Sequence, residues 1–207
     1  MTLTKGERTR QRLLESAIAC FVHLGWEGAS VSELATAAKV DRALFNHYFR
    51  SKEMLIQECV AWFGVRGRAQ TEALILATPA RLDSVERYFR ATFRWVKENR
   101  VYAAFYFLAI QRAAYDRTMR AAVDAIFTRA QDGIVARWDA DPLRAGRRSE
   151  DSRELARQLH MLLIGGMMAA LIDPRGRVGE HEQRCVLAAR AVLAAVPRRS
   201  MAAARRC

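Results

Sequence analysis

Cysteine is scarce in this chain of 207 residues: Cys20, Cys59, Cys185 and Cys207 stand far apart and form no CxxC pair. That spacing excludes a zinc ribbon or a redox dithiol, and Cys20 and Cys59, beside apolar helical positions, read as buried thiols. Histidine is equally thin. His23, His47, His160 and His181 share no metal-ligand spacing, and His181 with Cys185 supplies too few ligands for a zinc site. No Gly-rich phosphate loop is present, because Gly165 and Gly166 lie inside an apolar helical run. No Ser/His/acid or Cys/His order marks a nucleophilic set. No catalytic residue, metal or cofactor is therefore expected. No segment reads as a strand and no internal repeat recurs. The longest uncharged apolar run, residues 158–172, is shorter than the ~20 residues of a membrane span. The N-terminus mixes Lys5, Glu7, Arg8, Arg10 and Arg12 with polar residues, which excludes a secretory signal. A cytoplasmic protein without a membrane partner is expected.

What is present is an apolar, basic chain. Hydrophobic residues make up 51%, enough for a buried core, and 34 basic against 22 acidic residues leave a net charge of +12. A basic balance favours an anionic partner, nucleic acid first. The distribution does not locate it. Residues 1–52 carry a surplus of only +3, whereas residues 175–207 carry +6. The basic residues 5–12 suit DNA phosphates and a solvated helix surface equally well.

The informative stretch is residues 30–52, SVSELATAAKVDRALFNHYFRSK. Ser30 with Glu33 forms a capping box, and Val31, Leu34, Ala35 and Ala38 give a short helix one apolar face. Lys39 and Val40 make a turn, and Asp41 caps a second helix, with Val40 and Phe45 placed for a hydrophobic staple. In that helix Leu44, Phe45 and Tyr48 are expected to face inward, with Arg42, Ala43, Asn46 and His47 facing out. Such a helix fits the major groove, where Arg suits guanine and Asn suits adenine, and small Ala43 permits close approach. Lys52, the Tyr48 hydroxyl and the amides of the helix begun by Ser51 suit phosphates.

The match extends beyond a bare helix-turn-helix pattern. Residues 9–60, and above all VDRALFNHYFRSKEMLI, resemble the N-terminal DNA-binding domain of the TetR (tetracycline-repressor-like) family. The order Leu-aromatic-x-His-Tyr-Phe-x-Ser-Lys-Glu is specific. Two departures stand out. Lys39 occupies a turn position where the family usually has Gly, so a residue with a Cβ must take αL geometry. Phe45 stands where the family often has a phosphate-binding Tyr, so one family contact is expected to be absent. The resemblance implies DNA contacts from Ser30, Ser32, Lys39, Asp41, Arg42, Ala43, Asn46, His47, Tyr48, Ser51 and Lys52.

The remainder reads as helices throughout. Leu14, Ala17, Ile18 and Phe21 make a first helix ending before Gly25, and a longer helix runs from Ser51 to about Ala77. Thr78 and Pro79 suggest a stop and a restart, with Thr78 as the cap and Pro79 at the first helical position. Helices follow over residues 82–99, 101–112 and 116–138. Residues 139–148 read as a polar loop. Ser149, Glu150 and Asp151 open the next helix, residues 173–179 form a loop, and a last helix runs from Glu180 to Pro197. The expected architecture is all-α, with a three-helix helix-turn-helix domain (1–52), a helical effector-binding and dimerisation domain (53–197) and a basic tail (198–207).

Past residue 80 the resemblance carries over as architecture alone. It implies a ligand pocket, for which Trp62, Phe63, Phe89, Phe93, Tyr102, Phe105, Tyr106 and Phe127 are candidates, although aromatic stripes at this spacing also serve as core. Bulky groups all round residues 101–110 make that helix either central or a cavity wall. The family's dimer habit points to Leu159, Leu163, Gly166, Ala169, Ala170, Ala188 and Val192, which packing within one chain would use equally. The expected function is a DNA-binding regulator, a homodimer on a double-stranded operator, repressing until a small hydrophobic effector releases it. An enzyme on a helical scaffold and a protein-binding adaptor are the competing classes.

Overall fold

The computed structural model describes residues 4–80, 82–140 and 152–195. Among them the chain is all-α, in the order α1 (Lys5–Gly28), α2 (Val31–Ala37), α3 (Arg42–Tyr48), α4 (Lys52–Leu76), α5 (Ser84–Glu98), α6 (Arg100–Ala113), α7 (Arg117–Ala140), α8 (Ser152–Ile172) and α9 (Val178–Ala194). Two compact units result: Met1–Arg68 with Asn99–Ala125, and Ala69–Glu98 with Ile126–Cys207. This division does not follow the boundary expected at 52/53, because α6, distant in sequence, packs on α1. The basic tail from 198 and the helix start at 149–151 lie outside the described residues, as does most of the loop at 139–148.

In the first unit α1 opens on a capping box between Thr4 and Glu7 and buries Leu13, Leu14, Ala17, Ile18 and Phe21 along one side. At Gly25 the backbone turns to φ 72°, a left-handed value that glycine takes without a Cβ penalty. The bend carries Trp26 into the core. Its indole N–H donates to the Leu108 carbonyl at 3.3 Å, its ring meets Phe105 at 5.7 Å, and the Arg112 guanidinium lies 5.3 Å from its centroid. Arg112 also pairs with Asp116, which caps α7 through the Met119 N–H at 3.0 Å. Phe63 of α4 stacks on Tyr106 at 5.4 Å and meets Phe105 edge-on. Burying each such ring removes it from water at a gain of about 1.5–3 kcal/mol.

In the second unit α5 turns Val85, Phe89, Phe93 and Val96 inward against α8 and α9. Buried Glu86 accepts hydrogen bonds from Arg90 and from Arg190 of α9. Burial alone would raise its carboxyl pKa, but the two guanidiniums outweigh that and hold it below the ordinary value. The expected helix restart at Pro79 is not found. The Thr78 hydroxyl donates back to the Leu74 carbonyl and ends α4, whereas Asp83 caps α5 through the Glu86 N–H at 2.8 Å. A carboxylate cap accepts more strongly than a threonine hydroxyl already engaged as a donor. α8 is long and apolar enough by length and composition to cross a membrane, unlike the shorter run 158–172 considered from sequence. Leu155, Leu159, Leu163, Met167 and Ala170 of α8 are buried within the chain.

Candidate nucleic-acid interface

Local capping builds the helix pair at residues 30–48. Ser30 Oγ accepts from the Glu33 N–H at 3.2 Å while the Glu33 carboxylate accepts from the Ser30 N–H at 2.7 Å. The box holds the Glu33 carboxyl below its ordinary pKa, through the Ser30 side-chain bond first. Lys39 adopts φ 55°, so the turn takes the left-handed geometry at a residue that carries a Cβ. Asp41 then caps α3, accepting from the Leu44 N–H at 2.6 Å.

α3 is anchored by Phe45, 1% exposed, which meets the equally buried Phe49 at 5.6 Å. Arg42, Ala43, Asn46 and His47 are exposed, and Tyr48 is half-buried, its ring edge-on to His47. Leu44 departs from the expected inward position: it is 38% exposed. Seven residues give α3 little more than one inward row, and Phe45 fills it together with the buried C-cap residue Phe49.

The remaining predicted contacts divide by role. Ser32 and Lys39 are exposed. Ser30, Asp41 and Ser51 are exposed or half-buried, but their side-chain oxygens are engaged as helix caps, Ser51 with the Met54 N–H at 3.1 Å. Their contribution to this face is the placement of helix ends. Lys52 lies at the first turn of α4 with its ammonium 3.5 Å from the Glu27 carbonyl. Arg10 stands over the Phe49 ring at 5.6 Å, a contact that sequence reasoning missed because the two are far apart in the chain.

The predicted effector residues do not form one group. Trp62, Phe63, Tyr102, Phe105 and Tyr106 belong to the first unit, and Phe89, Phe93 and Phe127 to the second. Phe89, Phe93 and Phe105 are 0% exposed and pack as core. Phe127 meets His160 edge-on at 4.8 Å. The second unit has a cleft of about 440 Å³ between α5 and the start of α9, lined by Arg90, Phe93, Arg94, Lys97, Val178 and Glu182 among others. Phe93 alone among the predicted residues borders it.

The predicted dimer residues differ in exposure. Leu159, Leu163 and Ala170 are 0–2% exposed and already used within the chain, and Gly166 abuts Cys185. Ala169, Ala188 and Val192 are half-buried. The free apolar row of α8 is Met161, Met168 and Ile172, at 73%, 43% and 72% exposed, and α9 adds Leu187 at 63%. Their spacing of seven and four was visible in the sequence, but a second apolar stripe on the same helix hid it.

Residues 13–59 match the sequence model described as bacterial regulatory proteins, tetR family. The chain is 34% identical over 84 residues to the HTH-type transcriptional regulator YdgC of Bacillus subtilis, covering 41% of this chain and 43% of that protein. It is 30% identical over 79 residues to the HTH-type transcriptional regulator YttP of the same organism, covering 37% and 38%. The matches thus span less than half the length of either relative. In structure the chain resembles a TetR family transcriptional regulator from Cytophaga hutchinsonii, with a TM-score of 0.74 at 14% identity over 97% of this chain and 100% of that one. It also resembles a transcriptional regulator from Saccharomonospora viridis in complex with choline, with a TM-score of 0.73 at 17% identity over 86% and 93%.

Proposed function

The chain belongs to the TetR family through its N-terminal helix-turn-helix domain, and from that premise we propose that it is a cytoplasmic transcriptional repressor that binds a DNA operator as a homodimer and leaves it when a small hydrophobic effector binds. The observation that carries the DNA reading is the outward face of α3. Arg42, Ala43, Asn46 and His47 are exposed together while Phe45 fixes the opposite side, so polar groups reach base edges from a rigid helix. Lys39, Lys52 and the first turn of α4 supply phosphate contacts that set register without reading sequence.

The homodimer is supported by the exposed apolar row of α8 and by Leu187 of α9. Large apolar side chains exposed in a row along one helix are costly in water and suit a partner face. That the effector is a small molecule is supported by the choline held by the Saccharomonospora viridis regulator. Its hydrophobic character is supported by Phe93 of α5, which borders the cleft of the second unit, an apolar side chain of the sort that lines ligand sites. Release follows from geometry: two recognition helices must lie about 34 Å apart to enter successive major grooves. An effector that binds better to a state in which α4 has shifted changes that spacing and ends simultaneous docking.

Selection of bound fragments from a random duplex pool tests the DNA reading. Enrichment of a two-fold symmetric site is expected, and recovery of fragments without a common sequence overturns it. A thermal-shift screen with aromatic acids, fatty acids, choline and hydrophilic metabolites, followed by DNA release, tests the effector. Melting shifts and release by hydrophilic compounds alone overturn the hydrophobic assignment.

A further inference from the structure

Leu44 is the large apolar side chain that α3 leaves exposed, and the following inference about it rests on the DNA-binding reading above. The side chain is 38% exposed on a helix whose other outward positions are polar or small. Phe45 and Phe49, each 1% exposed, supply the apolar anchoring. The Leu44 N–H is held by the Asp41 carboxylate at 2.6 Å, so the backbone there is fixed while the side chain projects. At about 100° of turn per residue, Ala43 and His47 occupy the middle of the outward arc, with Arg42 and Asn46 on one flank and Leu44 on the other. A face that seats Asn46 against one side of a groove therefore turns Leu44 toward the opposite side of the same groove.

A leucine makes no hydrogen bond, so it discriminates only by apolar contact. The C5-methyl of thymine is the apolar group that base edges present in the major groove. We propose that Leu44 reads a thymine methyl, one flank of the recognition helix sensing a methyl while the other, Arg42 and Asn46, reads donors and acceptors. Contact removes both apolar groups from water, which supplies the driving force. It also gives a physical reason for an exposed leucine beside Asn46 and His47.

The test uses the full chain and the duplex selected for it, with each thymine replaced in turn by uracil, which removes the methyl and nothing else. Wild type is expected to lose affinity about fourfold at one thymine of each half-site, the worth of one buried methyl. Leu44→Ala is expected to bind that position indifferently to the methyl, whereas Leu44→Met, which keeps the apolar bulk, retains the penalty. Matching melting temperatures of the variants and wild type separate lost contact from lost fold. The proposal is overturned if no thymine is methyl-sensitive, if Leu44→Ala keeps the full penalty, or if Ala43→Gly abolishes it instead. If selection yields no duplex, the DNA reading itself fails and takes this inference with it.

Discussion

Gly166 of α8 and Cys185 of α9 approach so closely that a Cβ on the glycine would overlap the cysteine sulfur, and Phe93 of α5 lies 2.9 Å from the same point. Three helices of the second unit thus meet where one residue has no side chain. Gly166→Ala is expected to lower stability by a net ~1–2 kcal/mol, overpacking being partly offset by the better helix propensity of alanine. Adding Cys185→Ala removes the tighter overlap and should restore part of the loss, the remainder belonging to Phe93. Urea denaturation of the single and double variants reads both effects, and unchanged stability of Gly166→Ala would contradict the close approach.

The same helix separates stability from assembly. Ala170 is 0% exposed, so Ala170→Arg is expected to unfold the second unit rather than divide a dimer. Met168 is 43% exposed, and Met168→Asp should leave the melting of a single chain intact while converting the proposed homodimer to monomer. Sedimentation at micromolar concentration decides the matter. A wild-type monomer, or a Met168→Asp dimer of unchanged affinity, sinks the assignment of this face.

At the DNA face two variants should behave differently. Asn46→Ala is expected to relax base preference at defined positions, costing about 1–3 kcal/mol where the contact is bidentate. Lys52→Ala is expected to weaken binding to every sequence and to flatten the salt dependence. Titrations of specific and random duplexes at several salt concentrations measure both. Equal losses on both duplexes for the two variants would refute the division of roles.

Local chemistry was legible in the sequence, and long-range pairing was not. The Ser30 and Glu33 box, the Asp41 cap, the left-handed Lys39 and the Asp116 cap each depend on residues within about four positions, where type and spacing determine geometry. Leu44 and Phe45 are adjacent apolar residues, and only the position of Phe49 against the core decides which turns inward. α8 carries two apolar stripes, and periodicity does not say which one its own chain covers. The packing of Trp26 and Phe105 joins residues that no local pattern connects, so the membership of α6 in the first unit emerges only from the fold.

His160 of α8 makes the acid side of the stability curve specific. It is 3% exposed, edge-on to Phe127, and burial pushes its pKa down from 6.5 to about 4. The unfolded chain therefore takes up a proton that the folded chain refuses in the window between those values. Stability from the neutral, buried ring is complete above pH 6.5, falls as the pH drops, and is fully lost below about pH 4. The full loss is at most roughly 3 kcal/mol. Asp173 acts in the next window down. The Arg175 N–H first, then His181 and Arg177, hold its carboxyl at about 2 instead of 3.8, so its contribution disappears only as the pH falls through that lower range. His160→Leu, which keeps an apolar group in the site, is expected to flatten the limb between pH 6.5 and 4 and to leave the limb below it unchanged. Urea midpoints measured against pH at constant ionic strength report the two limbs separately. A wild-type curve already flat between pH 6.5 and 4, or the same slope in His160→Leu, would show that this histidine is not held neutral by the fold.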